Sequence, residues 1–349
     1  MKKTINAAIA GFGLSGKAFH APFIHTHDGF KLNKVLERHQ EESKKLYPDI
    51  HVVRNLEEIL SDKNIDLVVI SVPNQYHFEM VKACIEAGKH VVIEKPFTNT
   101  YKEAEELIGL AKKHQVKLFV YQNRRWDGDF LTIKKVLKSG ALGDIQYFEA
   151  HFDRYSPERK RAAWRDEEKP GSGILYDLGP HLIDQVLQLF GMPESIEADI
   201  QSQRKGSKVD DFFLITMHYP EMIAKVTAGM LVKDPGPRYI IHGNRGSFIK
   251  YGIDPQEAAL RKGEMPGGEH WGEEYPETWG LVTIDYDDDL NFNGHIETEP
   301  GNYMAFYNNV YEVLTGKAEQ AVKPEEAADV IRIIELAFEV NGKGMISIS

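Results

Sequence analysis

Residues 5–16, INAAIAGFGLSG, leave few architectures open. A short apolar run without helical period flows straight into Gly11, Gly13 and Gly16, spaced G-x-G-x-x-G, and a periodic segment follows. One glycine makes the tight turn, one lets the backbone approach a pyrophosphate, and one permits close helix–strand contact. Leu14 and Ser15 lie where the next helix opens and offers free N–H groups and a positive dipole end to phosphates. A tight strand–helix turn with no ligand is the competing meaning of the same string.

The next hundred residues repeat the alternation. INAAIAGF, FKLNKVLE, HVV, DLVVISVP, HVVIEKP and KLFVYQNRRW have strand character. LEEILSD, YHFEMVKACIEAG and TYKEAEELIGLAKKHQ have helical spacing. This alternation predicts an α/β domain: a Rossmann-type, doubly wound parallel sheet with helices on both faces. After about residue 123 the pattern changes. A helix, DFLTIKKVLKSG, leads to IQYFEAHFDRY, SIEADIQSQ, DFFLITMHY, IAKVTAGMLV, RYIIHGNRGSFIKYG and LVTIDYDDDL. These hairpin-like neighbours predict an α+β domain on a mostly antiparallel sheet. A last helix is expected around PEEAADVIRIIELAFEVNGKG, and the wet stretch 261–280 reads as a long surface loop. A chain of 349 residues accommodates two domains, 1–123 and 124–349.

Composition narrows the partners. Apolar content of 42% and charged content of 27% are those of a soluble globular enzyme. A net charge of −11 argues against duplex nucleic acid or an anionic membrane. No apolar run approaches the roughly 18 residues of a membrane span. Lys2 and Lys3 ahead of small apolar residues imitate a signal peptide, but the stretch is short and is assigned to the first strand. Cys84, the single cysteine, can form no internal disulfide, so a reducing, cytoplasmic setting fits. The 14 histidines show no metal-ligand spacing, so no metal is expected.

Several residues should reach the carboxyl edge of the parallel sheet, where doubly wound folds bind ligands. Glu37 closes the second strand 21 residues after Gly16, where a carboxylate would bind the adenosine ribose and favour NAD over NADP. Arg38 follows it and could instead meet a 2′-phosphate; a solvated strand end is the third meaning. Pro73, Asn74 and His77 end the fourth strand as cofactor contacts or as a helix start. Glu94, Lys95 and Pro96 end the fifth. Proline stops the ladder there. Lys95 either stabilises a substrate oxygen, best in a dry site that lowers its pKa, or simply pairs with Glu94.

Three ordered motifs carry a resemblance over essentially the whole chain: G-x-G-x-x-G, the E-K-P corner at 94–96, and GSGILYDLGPHLIDQ at 171–185. Together they resemble the glucose–fructose oxidoreductase/inositol dehydrogenase (Gfo/Idh/MocA) family. QNRRWDGDFLTIKK, LYDLGPHLIDQ and GPRYIIHG are similar to its bacterial inositol dehydrogenase-like subgroup. The resemblance implies NAD(P)-dependent oxidation or reduction at a sugar or cyclitol carbon. It also implies a C-terminal open sheet that makes homodimers or homotetramers.

Asp177 and His181 stand in D-x-x-x-H, interrupted by Gly179-Pro180. Because proline favours a first helical turn, Asp177 is expected just outside a helix and His181 inside its first turn, where the dipole keeps imidazole neutral. Asp184 lies on the same face and could orient the ring. A lone first-turn histidine is more often structural. The resemblance implies instead that Lys95, Asp177 and His181 are the catalytic set. Whether Lys95 or His181 is the principal base stays open, and the working assignment gives it to His181. By the same resemblance Trp164 and Arg165 approach the nicotinamide end, and Arg124, with Arg125 beside it, does likewise or holds the domains together. Arg154, Tyr155, Tyr176 and Tyr239 are candidate polyol contacts. The rival class is a non-catalytic NAD(P)-binding sensor on the same fold. A hydrolase using bound NAD as a redox relay comes third.

Overall fold

The computed structural model describes residues 3–158, 168–287 and 290–348. The chain divides into two compact units. The first contains the residues up to 123 together with 256–271 and 302–331; the second contains 124–255, 272–301 and 332–349. The break after Asn123 falls where the sequence pattern changes, but two later segments return to the first unit.

In the first unit, strands β1 (Ile5–Ala10), β2 (Phe30–Leu36), β3 (His51–Val53), β4 (Leu67–Ile70), β5 (His90–Ile93) and β6 (Leu118–Val120) form one parallel sheet in the order β3-β2-β1-β4-β5-β6. The central strands are apolar almost throughout because helices cover both faces. KLFVYQNRRW contributes only three strand residues before Asn123–Trp126 turns as a 3-10 helix. Helix Tyr101–His114 starts on a reciprocal cap. The Thr100 hydroxyl accepts the Glu103 N–H at 3.2 Å, and the Glu103 carboxylate accepts the Thr100 N–H at 3.1 Å.

Helix Met304–Leu314, which the sequence reading did not anticipate, also belongs to this unit. It brings Tyr307 against Phe23, with ring centroids 6.0 Å apart, and Phe306 against Tyr121 at 4.8 Å.

The second unit is a nine-stranded sheet. Its strands are β7 (Ile145–His151), β8 (Ser195–Gln201), β9 (Phe212–His218), β10 (Ile223–Gly229), β11 (Tyr239–Gly243), β12 (Gly246–Lys250), β13 (Gly280–Asp287), β14 (Leu290–Ile296) and β15 (Ile346–Ser347). Their order is β14-β13-β12-β11-β7-β10-β9-β8-β15. Only β7 and β10 pair in parallel. Helix Ile174–Phe190 packs on β9 and β10. Along β9 the residues Phe213, Ile215 and Met217 are buried while their neighbours are half-exposed, so one face of the sheet is covered and the other is not.

The 261–280 stretch is not solvated throughout. Its Glu274 lies 2.7 Å from the Lys250 ammonium, and both side chains are almost fully buried. No helix among the described residues is long and apolar enough to cross a membrane.

Candidate active site

The glycine turn explains its own composition. Gly11 has φ +103°, and a Cβ there would sit 2.6 Å from the Ser71 carbonyl oxygen. A Cβ on Gly16 would meet the Gly11 carbonyl oxygen at 2.3 Å, whereas one on Gly13 meets nothing within 4 Å. Two glycines therefore serve close packing, and the middle one leaves open backbone. That arrangement fits a pyrophosphate lying on Gly13. Leu14 is half-exposed beside it, and the Ser15 hydroxyl turns inward to the Glu94 carboxylate. The glycine turn and the E-K-P corner are thereby fastened together within one unit.

Glu37 departs from expectation. Its side chain is 7% exposed, and Oε2 accepts the Glu42 N–H at 3.0 Å while Oε1 accepts the Ser43 N–H at 2.9 Å and the Ser43 hydroxyl. Three of about four acceptor positions on the carboxylate are thus occupied by the start of helix Glu42–Leu46. Arg38, next in the chain, is exposed.

At the end of β4, Pro73 precedes a 3-10 turn and Asn74 is buried within it. His77, expected as a cofactor contact or as part of a helix start, ties two backbone carbonyls together. It is 1% exposed, with Nδ1 2.9 Å from the Pro96 carbonyl and Nε2 3.0 Å from that of Val72. Burial lowers its pKa.

Lys95 is half-buried at the end of β5, and its bond to Pro96 is cis. Its N–H donates to Glu94 Oε2 at 3.0 Å. Burial alone would raise the Glu94 pKa. The His20 hydrogen bond and charge, the Ser15 hydroxyl and the Lys95 charge together outweigh it and hold the pKa at about 2.

Helix Ile174–Phe190 also begins earlier than expected. Asp177 sits inside its first turn, Pro180 lies in its interior, and His181 follows beyond that turn, 5% exposed. Proline has no N–H for the Tyr176 carbonyl, a defect that packing on β9 and β10 tolerates. The dipole argument for a neutral His181 weakens, because that field fades past the first turn.

The true start is capped by Asp210, whose carboxylate accepts the Leu175 N–H at 2.7 Å and whose carbonyl accepts that of Ile174 at 3.0 Å. Gly173 is required there: its φ is +94° and a Cβ would lie 1.9 Å from Asp210 Oδ1. Burial raises the Asp210 pKa to about 6, well above its ordinary carboxylate value. Between pH 4 and 6 the folded chain then holds more protons than the unfolded one, so this stabilising contribution is full below pH 4 and lost as pH rises through 6. Asp210→Asn, which keeps the accepting oxygen, should gain stability relative to the parent between pH 4 and pH 7, read as urea midpoints.

Asp184 is held by Arg125. Nε and Nη2 of Arg125 grip its two oxygens at 2.8 and 2.6 Å, with both side chains buried. Arg124 pairs with Asp127 at 3.1 Å, lies over the Phe152 ring, and accepts at its carbonyl from Gln185. Tyr239, a candidate polyol contact, is fully buried, and its hydroxyl donates to Gln185 at 2.9 Å. Arg154 also stacks on Phe152, Tyr176 stacks on Phe338, and Tyr155 is 52% exposed. Trp164 and Arg165 lie outside the described residues. Among the described residues no group of three or more His, Cys, Asp or Glu could hold a metal ion.

Three contributors escaped the sequence reading: His20, Tyr307 and Asp210. A spacing signal for the helix carrying Tyr307 does exist, in Tyr303, Phe306, Tyr307, Val310 and Tyr311 ahead of Gly316.

Comparison with known proteins bears on both units. Residues 5–122 match the family description "Oxidoreductase family, NAD-binding Rossmann fold" and residues 134–347 match "Oxidoreductase family, C-terminal alpha/beta domain". A scyllo-inositol 2-dehydrogenase (NADP(+)), IolW of Bacillus subtilis, is 44% identical over 339 residues, covering 96% of this chain and 93% of its own. The uncharacterized oxidoreductase YdgJ of Escherichia coli is 42% identical, covering 97% of each chain. The solved structure of yvaA from Bacillus subtilis superposes with a TM-score of 0.97 at 43% identity, over 100% of this chain and 99% of that one.

Proposed function

The chain belongs to the Gfo/Idh/MocA family of oxidoreductases, and from that premise we propose that it moves a hydride between a nicotinamide and a secondary hydroxyl or ketone of a cyclitol or sugar. The observation that carries this is the joining of the glycine turn to the Lys95 corner through Ser15 and Glu94. Cofactor cradle and candidate catalytic lysine share one rigid edge.

Bound NAD(P)+ supplies the hydride acceptor. Lys95 donates a hydrogen bond to the substrate oxygen and stabilises the charge that grows there as hydride departs. His181 takes the hydroxyl proton as the hydride leaves. Asp177 orients the substrate. The assay is a panel of inositols and aldoses followed at 340 nm with each dinucleotide. Unchanged absorbance with every member would support the non-catalytic sensor instead.

The engaged carboxylate of Glu37 and the exposed Arg38 favour NADP, and the relative named for scyllo-inositol is also named for NADP(+). Arg38→Ala should cut kcat/KM for NADP roughly 10- to 100-fold, the size of a charge-assisted hydrogen bond, and leave NAD nearly unchanged. Equal losses with both would return the choice to Glu37.

Assembly rests on the half-exposed sheet face. There β-pairing lines up Ile240, Ile249 and Leu281 as an apolar row. We assign that face to self-association as a dimer or tetramer, which sedimentation velocity reads directly.

A further inference from the structure

His20 lies in the π-helical segment Gly16–His20 that follows the glycine turn, and it is fully buried. Its Nε2 is 3.0 Å from Glu94 Oε1, and its Nδ1 is 2.7 Å from the Tyr307 hydroxyl. The ring leans on Tyr121, with centroids 4.5 Å apart. Glu94 is ionised and can only accept, so the proton on that side belongs to Nε2. On the other side of the ring, the Tyr307 hydroxyl is the hydrogen-bond partner of Nδ1. The π-segment fits this reading, since a widened turn re-aims a side chain that a regular helix would point elsewhere.

Glu94 therefore gathers three elements on one carboxylate. Oε1 takes Ser15 from the glycine turn and His20 from the helix behind it, and Oε2 takes the Lys95 N–H. We propose that His20 is a positioning residue for catalysis, which through Glu94 holds the Lys95 corner in register with the glycine turn while Tyr307 fixes its ring. Binding the dinucleotide and placing the lysine then become a single structural event. The proposal rests on Lys95 serving the reaction.

What the role needs is a donor at the Nε2 position, and bulk alone cannot supply it. His20→Gln keeps a donor on a side chain of similar reach, whereas His20→Leu fills the space without one. Tyr307→Phe removes one oxygen and keeps the ring. Turnover is measured at saturating dinucleotide with the polyol that reacts fastest in the panel above, NADPH binding by fluorescence, and folding by thermal unfolding.

The Leu variant should lose at least about 10-fold in kcat, with substrate KM and NADPH affinity within about 3-fold, because small displacements of a reacting group act on the chemical step. The Gln variant should recover to within about 3-fold of the parent, and the Phe variant should lose a few-fold. A purely packing role reverses the order: leucine among Tyr121 and Tyr307 would then match or surpass glutamine in both turnover and melting temperature. That order overturns the proposal. If His20→Leu does not fold, Tyr307→Phe decides, and unchanged kcat with a lowered melting temperature sinks the idea. Full turnover in Lys95→Met, or no turnover of any polyol by the parent, would fail the underlying function instead and is recognisable without any His20 variant.

Discussion

Lys95→Met should lower turnover by about 10²- to 10⁴-fold while the protein stays folded and still binds dinucleotide. Methionine keeps most of the length and apolar stem of the lysine and deletes only the charge. The backbone N–H that bonds Glu94 survives the change, so the corner should hold its shape. Glu94 loses one of the groups that keep its pKa near 2, but His20 and Ser15 still hold it well below neutrality. Loss therefore falls on the chemical step, in kcat more than in dinucleotide affinity. Turnover within a few-fold of the parent, measured by initial rates at 340 nm, would remove the lysine from the mechanism.

The second large effect is on stability. Arg125→Met removes the guanidinium that holds both oxygens of the buried Asp184 carboxylate on helix Ile174–Phe190. Breaking a buried pair from one side costs about 3–5 kcal/mol. For a unit of this size that corresponds to a fall of roughly 6–20 °C in melting temperature. The double variant Arg125→Met with Asp184→Leu should regain most of the loss, because neither charge is then left in the interior. Calorimetry checks both. A single variant melting within 2 °C of the parent would mean that Asp184 takes up its proton or a water at little cost.

Local physics made most of the first unit legible. The glycine turn reads from sequence because each of its constraints involves residues a few positions away or on the adjoining strand. The apolar runs read as parallel strands because burial on both faces demands them. Spacing from the glycine turn places Glu37 but does not show that helix Glu42–Leu46 opens five residues later, with N–H groups that engage the oxygens a ribose would use. Pro180 misled because its preference for a first turn is weaker than the packing of a long amphipathic helix on a sheet. The pairing of His20 with Tyr307 was out of reach: 287 positions separate them, and no periodicity encodes so distant a contact.

The return of residues 302–331 to the first unit has a consequence for how the chain is made. Phe23, Phe30 and Tyr121 emerge early, yet Phe306, Tyr307 and Tyr311, which cover them, come roughly 190 to 280 residues later. At ribosomal speeds of about 5–20 residues per second, that apolar face waits roughly 10 to 60 s for its lid. A chain cut after Asn123 would keep that face bare for good. The nascent polypeptide is thus a natural client for a chaperone until its last helices leave the exit tunnel.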